Sequence, residues 1–280
     1  MTIERSIAQH YAHGDLERAI LDALVAMGKN PEQLTIEDLA PVDEFHIGGR
    51  KATTEFTAKL GLGPDMRVLD VGSGLGGPAR FAAHAHGCHV TGIDLTPEFV
   101  EVAKALARGV GLERRVNYVC GSAIAMPFPA ASFDAAYMLH VGMNIENKAK
   151  LMDEVRRVLK PGAVFGVYDV MRTGDGDLAF PVPWARTART SFVVRPGAYR
   201  RRLDCAGFDL GHEHDRSEFA LDFFRDMRAR VAEKGTPPLG LHIVMGKDFQ
   251  DKTGNMIANL ERKLIAPVEM IGRSRGGKSL

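Results

Sequence analysis

The chain has 280 residues, 25% of them charged, a formal net charge of +1 and one tryptophan among 7% aromatics. That balance supplies neither the basic excess of a nucleic-acid binder nor the rings of a base-stacking surface. No apolar run is long enough for a membrane span, and the first residues lack the apolar segment of a secretory signal. The expected partner is therefore a small molecule, with no nucleic acid, no membrane and a cytoplasmic location, and the length suits one buried α/β domain with a cap. Cys88, Cys120 and Cys205 form no spacing motif and read as buried, reduced thiols.

In chain order, residues 14–28 carry Leu16, Ala19, Ile20, Ala23, Leu24 and Met27 at helical spacing, with Gly28 as the stop. Asn30-Pro31 opens a second segment in which Thr35-x-x-Asp38 has the form of a capping box. A helix over about 50–60 leads into a strand at Arg67, and helices then alternate with strands to Tyr168. Such alternation builds a parallel sheet with helices on both faces. Residues 172–195, rich in Gly, Pro, Thr and Arg, form a long irregular insert of the kind that is usually functional or disordered. A helix over 196–206, a strand over 208–213, helices over 219–234 and 250–264, and a last strand over 265–271 complete the pattern. Residues 272–280 form a basic tail expected to fray. His84-x-His86-x-Cys88-His89 spans a helix end and a strand start, and His212-x-His214 has no evident third ligand, so no metal is expected. Arg200-Arg201-Arg202 reads as a solvated helix face.

The chemistry concentrates in Val68-Leu69-Asp70-Val71-Gly72-Ser73-Gly74-Leu75-Gly76-Gly77, an apolar strand running into a glycine turn and a helix that starts near Pro78. Asp94 ends the next apolar run, where a carboxylate can accept both hydroxyls of a ribose. Read as Gly72-x-Gly74-x-x-Gly77, the turn fits a dinucleotide fingerprint. Read as Asp70-x-Gly72-x-Gly74-x-Gly76, it fits a loop for S-adenosylmethionine. A pyrophosphate is repelled by a neighbouring carboxylate, whereas a methionine ammonium is attracted by one, and Asp70 favours the second reading.

The ordered set that follows, Val116 to Ala123, Met126-Pro127-Phe128, Ser132 to His140 and Lys160-Pro161-Gly162, resembles the class I methyltransferases over about 66–168. Asp43-Glu44-Phe45-His46-Ile47-Gly48-Gly49, His140 to Ile145 and Pro181-Val182-Pro183-Trp184-Ala185 are similar to bacterial sarcosine and dimethylglycine N-methyltransferases. The resemblance implies a doubly wound, seven-stranded, mostly parallel sheet of Rossmann-like methyltransferase type. It also implies a helical lid over 1–62, an S-adenosylmethionine-binding core over 63–171, and cap inserts after the fifth and sixth strands over 172–280. The cofactor site would draw on Gly72, Ser73 and Gly74 for the methionine half, with Asp70 beside its ammonium. Asp94 would hold the ribose, Leu95 the adenine face, and Ser122 and Ala123 the adenine amino edge. Related enzymes often have Asp where this chain has Ser122, which implies weaker adenine anchoring here. Tyr11 and His46 would close over the cofactor, although Tyr11 equally fits a hydrophobic staple.

The implied reaction is in-line methyl transfer, with S-adenosylhomocysteine as product, in which alignment and a dry site do most of the work. His140 is the candidate general base, or else a cofactor contact through its backbone. Asn144 would hydrogen-bond an acceptor or cap the next helix. Trp184 could pack on a methylated ammonium and Arg186 or Arg189 pair with a carboxylate, which suits a glycine-derived amine; the alternative is that Trp184 packs the cap and the arginines face solvent. Phe180, Phe192, Leu239, Met245 and Phe249 suit instead a lipophilic oxygen or carbon acceptor such as a quinone or polyketide. A non-enzymatic cofactor binder and a nucleotide-dependent oxidoreductase stand as further readings, and a homodimer is possible.

Overall fold

The computed structural model describes residues 3–12 and 14–276. Helices α1 (Ile3–Tyr11), α2 (Leu16–Ala26), α3 (Ile36–Asp43) and α4 (Gly49–Thr57) precede the sheet. Then β1 (Arg67–Val71), α5 (Gly77–His86), β2 (His89–Asp94), α6 (Pro97–Gly109), β3 (Val116–Cys120), β4 (Phe133–Leu139), α7 (Lys148–Val158) and β5 (Leu159–Arg172) follow. The chain closes with α8 (Pro196–Cys205), β6 (Phe208–Asp215), α9 (Ser217–Lys234), α10 (Leu241–Met245), α11 (Phe249–Glu261) and β7 (Ile265–Ser274). The seven strands are ordered β3-β2-β1-β4-β5-β7-β6, all parallel except β7, which runs antiparallel to both its neighbours. Strand order reverses between β1 and β4, and in such sheets ligands bind beyond the carboxyl ends of the strands at that point.

Alternation along the strands sorts the core. Leu69, Val71, Ala136, Met138, Phe165 and Val167 face α7 and α8 on one side. Val68, Ala135, Tyr137, Leu139, Val164 and Tyr168 face α4, α5 and α6 on the other. This is the period of two expected of a pleated strand buried on both faces. Leu16, Ile20 and Leu24 of α2 and Leu39 and Val42 of α3 seat on Phe99, Val102 and Leu106 of α6, together with Leu239 and Val244 near α10. The Thr35 capping box is present: Asp38 N–H donates to Thr35 Oγ1 at 3.2 Å and Thr35 N–H to Asp38 Oδ2 at 3.0 Å.

Three expectations need correction. Strand β5 begins at Leu159, before Pro161-Gly162, because Leu159 pairs with Phe133 and a register shift accommodates the extra residues. Residues 272–274 continue β7 against β6, and Arg275 is ion-paired to Asp204 and Asp209, so only residues 277–280 of the expected frayed tail lie outside the described residues. Cys88 is buried as expected, but Cys120 and Cys205 are exposed, at the last residues of β3 and α8. Arg200-Arg201-Arg202 is the solvated helix face expected, all three residues being exposed, and Arg200 pairs with Glu213 on β6.

One buried charge ties the N-terminal helices to the sheet. Arg80 on α5 has no exposure to water, and its guanidinium donates to Asp43 Oδ2 at 2.7 Å, to Ala103 O at 3.2 Å and to Tyr118 Oη at 3.4 Å. A buried ion stripped of its partner keeps its full desolvation cost. Arg80→Met should therefore lower unfolding stability by about 3–5 kcal/mol in urea titrations, and adding Asp43→Leu should recover much of it. A loss below about 1 kcal/mol for the single variant would show that the pair is dispensable.

Candidate active site

The carboxyl ends of β1, β2, β3 and β4 open into a cavity of about 1370 Å³, roofed by α1, the 44–50 turn, α9 and α10. At its floor the chain leaves β1 through Gly72 and Gly74, with φ of +74° and +53°. A Cβ on Gly72 would sit 2.4 Å from Val141, so the turn requires glycine twice over, for conformation and for space. Gly72 N–H and Ser73 N–H both donate to Ile93 O, at 2.7 and 3.1 Å. Asp94, at the tip of β2, accepts from Gly74 N–H through Oδ2 and from Thr96 N–H through Oδ1, each at 2.8 Å. One carboxylate thus clamps the glycine turn to the neighbouring strand, and burial holds its pKa above the usual range.

Asp70 lies deeper. It is buried, its Oδ2 has no partner at ideal hydrogen-bond geometry, and desolvation pushes its pKa well up against the pull of the neighbouring Tyr137 hydroxyl, with Asp94 and Glu44 adding to the rise. An orphaned buried carboxylate oxygen on a cavity wall calls for a cationic or donor ligand.

His140 follows β4 with a φ of +55°. Its Nδ1 is 3.1 Å from Tyr168 O, a pure acceptor, so Nδ1 carries the proton. Its Nε2 then accepts from Ile47 N–H at 3.4 Å, and Tyr168 Oη donates to Ile47 O at 3.1 Å. Burial drives the imidazole pKa down to about 3. The expected general base is therefore a neutral strut holding the 46–48 turn against β4 and β5, its lone pair already engaged. His46 is also buried, with a pKa near 4; Thr53 gives its hydroxyl proton to Glu44 at 2.6 Å, so His46 Nε2–H donates to Thr53 Oγ1 at 3.0 Å.

Tyr11 donates to Asn144 Oδ1 at 3.3 Å and packs edge-on to Phe45. Asn144 therefore meets the lid rather than capping α7, a task done by Asn147, whose side chain accepts from Lys150 N–H at 3.0 Å. Leu95, Ser122 and Ala123 line the same end of the cavity. Ser122 accepts from Ile124 N–H at 3.2 Å and donates to Glu4 of α1.

The cap residues separate. Leu239, Met245 and Phe249 line the cavity, whereas Phe180 and Phe192 do not. Trp184 presents an edge to it, but its indole is 2% exposed and donates to Ser191 Oγ at 2.9 Å, so it packs more than it cages. Arg186 is absent from the wall and pairs with Asp248 at 3.0 Å. Sequence reasoning missed Glu4, Glu44 and the stripe Phe219, Phe223, Met227 and Val231 of α9, all on the cavity wall. The four-residue spacing of that stripe was a readable signal of one helix face. Among the described residues no three metal-binding side chains converge, and no helix is long and apolar enough to cross a membrane.

A family model described as a methyltransferase domain matches residues 69–167, which run from β1 into β5. Sterol 24-C-methyltransferase ERG6B of Gibberella zeae is 42% identical over 164 residues, 56% of this chain and 43% of that protein. Glycine/sarcosine/dimethylglycine N-methyltransferase of Actinopolyspora halophila is 27% identical over 179 residues, 64% of this chain and 32% of that protein. The chain therefore spans less than half the length of either relative. The solved structure of the [4+2]-cyclase SpnF shares the fold at a TM-score of 0.70 with 23% identity, covering 99% of this chain and 98% of that one.

Both buried imidazoles should stay neutral across the physiological range. An NMR titration should find no midpoint for His46 or His140 above pH 5, and Nδ1–H as the tautomer of His140. Because their folded pKa values lie below the unfolded value of about 6.5, the unfolded chain binds more protons between the two. The stability they contribute is complete above about pH 6.5 and is lost as pH falls toward 4 and 3. A His140 midpoint near 6.5 would overturn the strut assignment.

Proposed function

We propose that this chain, whose core is a class I S-adenosylmethionine-dependent methyltransferase domain, transfers the methyl group to a carbon centre of a lipophilic acceptor. One observation carries the choice of acceptor. Among the described residues, the buried charged side chains on the cavity wall are Asp43, Glu44 and Asp70, all carboxylates. Arg50, partly buried, is committed to Glu44. Buried polar groups of the wall, His46, Ser73, Thr96, His140 and Asn144, carry no fixed positive charge, and Ile47, Met143, Met256 and Ile257 supply buried apolar surface beside them. A glycine-derived acceptor brings a carboxylate that would meet no buried cation there, at a large desolvation cost. A lipophilic acceptor meets matching surface. The sterol relative's name points the same way, and the N-methyltransferase relative favours the amine as second reading.

The residues fit the donor. The partnerless Asp70 oxygen suits the methionine ammonium, the Gly72–Gly74 backbone the carboxylate end, Asp94 the ribose, and Leu95, Ser122 and Ala123 the adenine. When bound, S-adenosylmethionine supplies an activated methyl group and leaves as S-adenosylhomocysteine. The protein's part is then to align and to exclude water. Tyr11, His46 and Phe45 cover the cofactor, and the acidic wall lowers the energy of positive charge in a low-dielectric site. The acceptor's electron pair would form the new carbon–carbon bond as the methyl group leaves sulfur, and the positive charge passed to the acceptor would be discharged by loss of a proton to a cavity carboxylate or to water. His140 holds the 46–48 turn in place and takes no proton.

Incubation with S-[methyl-³H]adenosylmethionine tests the acceptor class. Label should pass to a solvent-extractable product from sterol, polyprenyl or polyketide acceptors, and survive hydrolysis as a C-methyl group; label passing to sarcosine or dimethylglycine instead would install the amine reading. Asp94→Ala should weaken S-adenosylmethionine binding roughly 100-fold by calorimetry, since the acceptor for the ribose hydroxyls and the clamp on the glycine turn go together. Unchanged affinity would remove Asp94 from the site.

A further inference from the structure

We infer that Glu4 of the lid is the carboxylate that reads the adenine amino group, in the role that Asp holds in related enzymes at the position of Ser122. The inference rests on the cofactor reading above. Ser122 follows β3, whose register sets Cys120 beside Asp94, so the base of an adenosine anchored at Asp94 lies against Ser122 and Ala123. A serine there is a poor match for an exocyclic amine, which is a pure donor under these conditions. Ser122 Oγ already accepts from Ile124 N–H and gives its one proton to Glu4. One uncharged lone pair is what it has left to offer a base.

Glu4 has what Ser122 lacks. An ionised carboxylate accepts about four hydrogen bonds, and Ser122 uses one of them. Glu4 lines the cavity, and so do Ile3, Ile7 and Tyr11, which recur at four-residue spacing on the same helix. Ile7 is buried. The apolar stripe therefore lays α1 across the cavity with Glu4 at its edge, over the adenine end. The rest of the lid is pinned independently: Tyr11 to Asn144, and His10 Nε2 to Pro183 O at 3.0 Å. The base would thus complete the lid's grip, and a ligand with the wrong base would leave Glu4 facing another acceptor.

A pair of cofactor products separates recognition from mere lid support. S-adenosylhomocysteine carries the amine; S-inosylhomocysteine carries a carbonyl at that position and a ring N–H beside it. Calorimetry on the full chain should show at least a tenfold preference for the adenosyl compound. Glu4→Ala should cut that preference to within about threefold, chiefly by weakening the adenosyl compound, and Glu4→Gln, whose amide can donate to the carbonyl, should shift it furthest toward the inosyl compound. Equal weakening of both ligands by Glu4→Ala, with the ratio kept, would make Glu4 a lid contact only and overturn the inference. Failure of the wild-type chain to bind S-adenosylhomocysteine would remove the cofactor reading itself.

Discussion

A guanidinium sealed from water has to keep its carboxylate, and the placement of the cavity wall follows from that constraint. Arg80 stands one turn into α5, directly behind the glycine turn, and Asp43 stands at the last residue of α3. Their bond fixes where α3 ends, and therefore where Glu44, Phe45, His46 and Ile47 begin. Backbone room is consumed on the way: a Cβ on Gly77 would lie 2.4 Å from Asp43 O, and one on Gly76 2.3 Å from the Tyr118 hydroxyl. The glycines after Gly74 thus serve packing between α3, α5 and β3, while Gly72 and Gly74 shape the floor of the site. One motif answers to two masters, and only its first half faces the cavity.

The buried acids are the second consequence. Asp43 is held near pKa 6 by burial against the pull of Arg80, and Asp70 is pushed well up with no cation beside it. Carboxylates kept in this state raise the energy of the empty site, and a positively charged ligand relieves them. The same arrangement disfavours an anionic acceptor and tolerates a neutral one. Donor preference and acceptor preference then share one electrostatic cause, which is why the absence of a buried cation on the wall weighs more than the nearby Trp184 or the solvent-facing Arg186.

What could be read from the sequence was whatever local periodicity encodes. Alternating burial in β1, β4 and β5, the glycine turn with Asp70 and Asp94, and the Thr35 cap are all written in residues a few positions apart. What local periodicity does not encode is partners far along the chain. Ser122 and Glu4 meet across 118 positions, and Tyr11 and Asn144 across 133. His140 looked like a base because an exposed imidazole titrates near neutrality; two backbone partners and burial make it something else. Asn144 looked like a cap because Asn147 is equally suited, and only the turn between them decides. Residues 172–195 carried no period to read, so neither the inward face of Trp184 nor the outward one of Arg186 had a local signature.

Size completes the case for a bulky acceptor. Pockets for small ligands commonly hold about 300–1,000 Å³, and this cavity reaches about 1370 Å³. A cofactor held as proposed, along Asp70, Asp94 and Ser122, would fill the end beneath α1 and leave the end beneath α9 and α10. There Phe219, Phe223, Met227, Leu239 and Met245 supply the wall. A glycine derivative in that space would bring water with it, and water beside the sulfonium weakens the electrostatic help that the buried acids give. An acceptor large enough to displace that water keeps the site dry by its own bulk. Its apolar surface gains free energy in proportion to the area it covers, so the fit that excludes water is also the fit that holds the acceptor in line with the methyl group.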